Sequence, residues 1–111
     1  MKNLSVREFR DVCNVNNITH FILCSNNQEH YLINSTIKVD LIFNSLIIAF
    51  NPNAICLKGQ DGLICFERVK YIRMKPDKSP LGTRFTIVCG DFSSEKNNIY
   101  YNIVGFWKIF K

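Results

Sequence analysis

Apolar residues at Val6, Phe9, Val12 and Cys13 recur at helical steps, and Arg7, Glu8, Arg10 and Asp11 fall outside that stripe. Ser5 precedes the run and Glu8 stands three residues on, the arrangement of a capping box. Leu4 and Phe9 are placed to form the hydrophobic staple around it. Asn14, Asn16 and Asn17 supply a stop, because asparagine tolerates the left-handed conformation at a helix end. The spacing predicts one helix over residues 6–14, within outer bounds of 5–15. A helix this short is marginal alone and must dock on something.

From Ile18 the period changes to two. Residues 18–24 read as a strand, 25–29 as a turn cluster and 30–34 as a short return strand. Ile37, Val39, Leu41 and Phe43 alternate with their neighbours, which predicts a strand over 37–43 with one apolar face. After a turn at Asn44-Ser45, residues 46–50 are apolar without interruption, the pattern of a strand covered on both faces. Gly59-Gln60-Asp61-Gly62 joins 54–58 to 63–67 as a hairpin, with Ile55, Leu57, Ile64 and Phe66 on one face and Cys56 and Cys65 on the other. The three-residue steps Phe66, Val69, Ile72 predict a tight turn or bulge between two strands. Strands follow at 71–75, around Phe85, Ile87 and Cys89, and from Ile99 to about residue 106, separated by a loop at 76–82 and a polar stretch at 90–98. The expected fold class is therefore α+β, mainly β. An N-terminal helix packs on a curled antiparallel sheet, or plugs a small open barrel, of seven to nine short strands over about 18–108.

Composition supports a single domain over 1–111: 47% of residues are hydrophobic and 21% charged, enough apolar surface to offset chain entropy. No run approaches the ~20 apolar residues of a membrane span. The first residues reach Arg7, Glu8, Arg10 and Asp11 without an export-type apolar segment, so a cytoplasmic protein with no membrane partner is expected. Fourteen Ile and thirteen Asn are the bias an AT-rich gene produces, as in a low-GC bacterium or its phage.

Chemistry-bearing motifs are sparse. Cys13, Cys24, Cys56, Cys65 and Cys89 have no Cys-x-x-Cys spacing, so neither a metal nor another cofactor is expected, and the thiols read as reduced and mostly buried. His20 and His30 flank a predicted hairpin rather than a nucleophile-bearing turn. A small hydrolase or redox protein using Cys56, Cys65 or His20 is the third-ranked alternative, and the expectation is a protein that is not an enzyme.

Charge is more informative. Arg68, Lys70, Arg73, Lys75, Lys78 and Arg84 stand against one acid, Asp77, within seventeen residues, while the rest of the chain carries eight bases and eight acids. The whole excess of +5 therefore lies on a strand, a loop and the next strand, which predicts one basic patch that includes Tyr71. The alternative is a solvated edge whose charges discourage strand pairing. The aromatic tail, with Trp107 and Phe110, predicts a strand closing the sheet or an exposed hydrophobic anchor. Self-association of two copies through that C-terminal strand is also open. The expected function is a small non-enzymatic binding protein that occupies a partner's acidic surface through the strip. An inhibitor of a host nucleic-acid-handling or defence protein, encoded by a phage or mobile element, is one such case. Direct nucleic-acid binding by a β-barrel module, with Tyr71 stacking on bases, is the second reading.

Overall fold

Both halves of the capping box are made. In the computed structural model, which describes residues 2–25, 27–32, 35–50, 62–75, 82–93 and 97–107, helix α1 spans Val6–Val15. The Glu8 amide donates to the Ser5 hydroxyl at 3.1 Å and the Ser5 amide donates to the Glu8 carboxylate at 3.0 Å. Leu4 and Phe9 are both buried in one cluster, as the staple requires. Asn17 ends the turn with φ +54°.

Among the described residues nine strands accompany the helix: β1 (Lys2–Leu4), β2 (Ile18–Ser25), β3 (Gln28–Leu32), β4 (Thr36–Asp40), β5 (Ser45–Phe50), β6 (Gly62–Phe66), β7 (Val69–Lys75), β8 (Thr83–Cys89) and β9 (Ile99–Trp107). They form two antiparallel sheets, one of six strands in the order β1-β7-β8-β9-β2-β3 and one of three in the order β4-β5-β6. Among the described residues neither sheet closes into a barrel. β1 is too short for periodicity to announce, and it pairs with β7 so that Leu4 lies opposite Ile72.

The chain crosses from the small sheet to the large one in two residues, Glu67 and Arg68, where the three-residue steps predict a turn. Arg68 takes φ +52° there. The Val69 amide donates to the Asn44 carbonyl at 2.9 Å and the Gly90 amide to the Arg68 carbonyl at 3.0 Å, which ties three turns together at one end of the large sheet. A bulge follows at once, since the β7–β8 register shifts between Val69 and Tyr71.

The core lies between α1, the small sheet and the inner face of the large sheet. Phe9 is fully buried, edge-on to Phe85 at 4.8 Å between ring centroids, with Phe21 at 6.2 Å. Phe66 of the small sheet meets Tyr101 of the large one at 5.1 Å. Gly105 of β9 is required by close approach, because a Cβ there would stand 2.7 Å from Ile18 Cγ2.

Three expectations need correction. The strand predicted over 37–43 stops at Asp40, and Leu41, Ile42 and Phe43 are exposed in a turn. The Asp40 carboxylate accepts from the amides of Ile42 and Phe43, and Asn44 turns at φ +49°, so side-chain-to-backbone bonding overrides the apolar alternation. β5 is not covered on both faces: Leu46 and Ile48 are buried, but Ile47, Ala49 and Phe50 are half-buried. Gln28 and Glu29, read as turn residues, belong to β3. The predicted hairpin through Gly59-Gln60-Asp61 lies outside the described residues, and the described partner of β6 is β5. β9 lies inside the sheet, hydrogen-bonded to β8 on one side and β2 on the other. Along its paired residues it is therefore an interior strand.

Candidate functional site

Alternation along β7 sends Ile72 and Met74 to the core and Tyr71, Arg73 and Lys75 to the opposite, outer face of the large sheet. In β8, Phe85 and Ile87 face the core, so Arg84, Thr86 and Val88 face out. In β9, Tyr101 and Ile103 face in and Tyr100, Asn102 and Val104 face out. Pairing then aligns the outer residues in rows. Arg73, Thr86, Asn102, Cys24 and Glu29 make one row across five strands, Lys75, Arg84, Val104 and Ile22 the next, and Tyr71, Val88 and Tyr100 a third. A shallow groove of about 570 Å³ is lined by Cys24, Arg73, Lys75, Arg84, Thr86 and Asn102, among others.

Within this face the polar groups are already positioned. The Arg73 guanidinium lies 5.8 Å from the centre of the Tyr71 ring and donates to the Tyr71 hydroxyl at 3.4 Å. The Thr86 hydroxyl donates to Asn102 Oδ1 at 3.1 Å. Among the described residues, the outer positions of β7, β8 and β9 carry no carboxylate, and neither Arg73 nor Lys75 has one within ion-pairing distance. The acid nearest in register is Glu29, on the edge strand β3, which accepts from the Tyr31 hydroxyl at 2.8 Å.

The expected single strip is divided. Arg73, Lys75 and Arg84 converge on the outer face. Arg68 and Lys70 belong to the end of the sheet where the three turns meet, and Lys70 Nζ donates to the Asn98 side chain at 3.3 Å. There Asp91 answers them. Its carboxyl is held below the usual carboxylate range chiefly by the Ser93 amide, then by the Ser93 hydroxyl, with smaller contributions from the charges of Arg68 and Lys70. The cause of the division is the bend at Arg68 followed by the bulge at Lys70, which breaks the alternation that would have put every base on one surface. Lys78 lies outside the described residues, as does Phe110; Trp107 ends β9 opposite Ile18.

Sequence reading missed Thr86, Asn102 and Tyr100. Asn102 and Tyr100, the latter 57% exposed, reach the site because β9 pairs with β8, and no local pattern marks them; Thr86 stands on β8 itself, opposite Arg73.

The thiols separate into two kinds. Cys13 and Cys89 are buried, and burial pushes their pKa values up to about 12 and about 11 respectively. Cys24 and Cys65 are exposed, so the four described thiols divide evenly, and Cys56 lies outside the described residues. Cys65 and Cys89 line a cleft of about 590 Å³ together with Arg68, Asp91 and Tyr101, and neither histidine is among its walls. His20 sits in β2, its Nδ1 2.8 Å from the Thr19 hydroxyl. Among the described residues no three His, Cys, Asp or Glu side chains gather as metal ligands. No described helix is long and apolar enough to cross a membrane.

No protein-family model, curated protein or solved structure matches this chain.

Proposed function

We propose that this chain is a small non-enzymatic binding protein that docks the outer face of its large sheet on an anionic surface of a macromolecular partner. One observation carries the reading: Lys75 and Arg84 are direct cross-strand partners, with Arg73 beside them on the same face. Three cations gathered on one face raise a positive potential there, which attracts an anionic partner and steers the encounter. Blocking a partner's surface, as an inhibitor does, needs no more than this.

The test is retention on three immobilised polyanions (heparin, polyglutamate and a single-stranded oligonucleotide) at low and rising salt. The wild-type protein is expected to bind at least one of them. The combined Arg73→Ala, Lys75→Ala and Arg84→Ala variant, with an unchanged circular dichroism spectrum, is expected to elute in the wash. Wild-type protein that passes through all three, or a folded triple variant that binds as well as wild type, ends the proposal.

A further inference from the structure

The basic groups on the outer face share it with aromatic rings, and this mixture narrows the chemistry of the partner. The inference rests on the binding face proposed above and goes further by naming its occupant. We infer that the occupant is a single-stranded nucleic acid, laid across β7, β8 and β9 with its phosphates on Arg73, Lys75 and Arg84 and its bases on Tyr71 and Tyr100.

Three features favour this occupant over an acidic protein surface. First, charge: the three strands present bases and no carboxylate, the complement of a polyanion. Second, rings: Tyr71 and Tyr100 stand in one row with Val88 between them, about 10 Å apart at the usual strand spacing. Val88 is fully buried although it lies outside the core cluster, so this end of the outer face already has a packed apolar floor. Tyr100, 57% exposed, presents a π-face on which any base can stack, and Tyr71, whose ring carries the Arg73 guanidinium at 5.8 Å, offers a second once Arg73 turns to a phosphate. Third, the row between the rings and the Lys75–Arg84 pair holds Thr86 and Asn102, whose hydroxyl and amide can exchange hydrogen bonds with base edges or a ribose. Carboxylates on a folded partner would use the cations and leave the rings and this polar row idle.

The arrangement also predicts which nucleic acid. In a duplex the faces of the bases are hidden by their neighbours, so Tyr71 and Tyr100 have nothing to stack on. Single strands are therefore preferred over duplex of equal length. An open sheet has no groove-sized projection among its described elements, and sequence preference is expected to be weak.

The experiment uses the full chain and fluorescein-labelled oligo(dT) and oligo(U) of about twelve nucleotides, within the range one small β domain covers. Anisotropy is read between ~50 and ~200 mM salt, with matched duplex and polyglutamate as competitors. Three phosphate contacts give a log–log salt slope of about −2, or roughly a fifteen-fold loss of affinity over that range. Tyr71→Ala and Tyr100→Ala are each expected to weaken binding by about 5- to 100-fold, while Tyr71→Phe and Tyr100→Phe retain it. Arg68→Asn leaves it unchanged. A second readout does not depend on any variant: bound oligonucleotide is expected to slow alkylation of Cys24, in the groove, and not of Cys65, which is on the small sheet.

Oligonucleotide binding no stronger than polyglutamate binding overturns this inference and leaves the anionic-partner reading in place. Equal affinity of the folded tyrosine-to-alanine variants does the same. Absence of binding to every polyanion removes both.

Discussion

Lys75 and Arg84 face each other across β7 and β8, two cations in direct register on an exposed surface. Lys75→Glu sets a carboxylate in register with Arg84 and is expected to change stability by no more than about 0.5 kcal/mol, the range of an exposed pair. The same change is expected to weaken polyanion retention. Urea denaturation and salt elution of one variant, run side by side, measure both. A variant that lost stability and kept its binding would show that the pair serves the fold instead.

Arg68 has the opposite profile. Among the described residues it is the one with φ between +20° and +160° that is neither glycine nor asparagine; Asn17, Asn27, Asn44 and Asn97 take the other non-glycine positions. The left-handed region costs an ordinary side chain roughly 1 kcal/mol. Arg68→Asn is expected to recover about that amount in chemical denaturation. Because Arg68 lies at the turn end of the sheet beside Asp91, binding through the outer face is expected to survive the change.

Phe9 holds the helix to the large sheet through Phe85 and Phe21. Phe9→Ala is expected to cost about 3–5 kcal/mol, a large share of the ~5–15 kcal/mol that stabilises a typical domain. Thermal unfolding monitored at both near- and far-ultraviolet wavelengths reports this. Phe9→Leu, which refills most of the space, is expected to recover more than half of the loss.

Thiol chemistry should divide the cysteines by burial. At pH 8, Cys24 and Cys65 are expected to react with iodoacetamide in the native protein. Cys13 and Cys89, with pKa values raised to about 12 and about 11 by burial, are expected to react only after unfolding. Peptide mass spectrometry over a time course separates the two classes.

Acid stability carries the mark of the capping box. The Glu8 carboxyl is held below its ordinary range, chiefly by the Ser5 amide that donates to it and then by the Ser5 side chain. A depressed folded pKa means that the unfolded chain binds the proton first. The stabilisation is therefore fully present above the unfolded carboxylate pKa and is lost as pH falls through the lower folded value. Glu8→Gln keeps a side chain that can close the box but does not titrate. It is expected to melt slightly below wild type at pH 7 and to converge with it at acidic pH, which a series of melts from pH 7 to pH 2.5 records.

Local interactions were legible from the order of residues because they are made between neighbours. Ser5, Glu8 and Phe9 announce α1 at their helical spacing, and the period-two runs announce most of the strands. The step from Phe66 to Val69 to Ile72 marks the crossing between sheets. At residues 41–43 sequence reading failed because a nearby polar group, the Asp40 carboxylate, bonded the amides of Ile42 and Phe43 against the apolar pattern.

The amino-acid order alone announced an N-terminal helix followed by short antiparallel strands, and settled that the excess positive charge lies between Arg68 and Arg84. Which of those charges act together was decided only in three dimensions. A bend at Arg68 and one extra residue at Lys70 take the first two cations out of the rows of the outer face, because a single inserted residue in a strand moves side chains to the other face. Pairing with β9 then brings Asn102 and Tyr100 beside Thr86 and Val88, partners more than ten residues away along the chain. Register between distant strands depends on how the whole core packs around Phe9, and no local stretch of sequence contains that information.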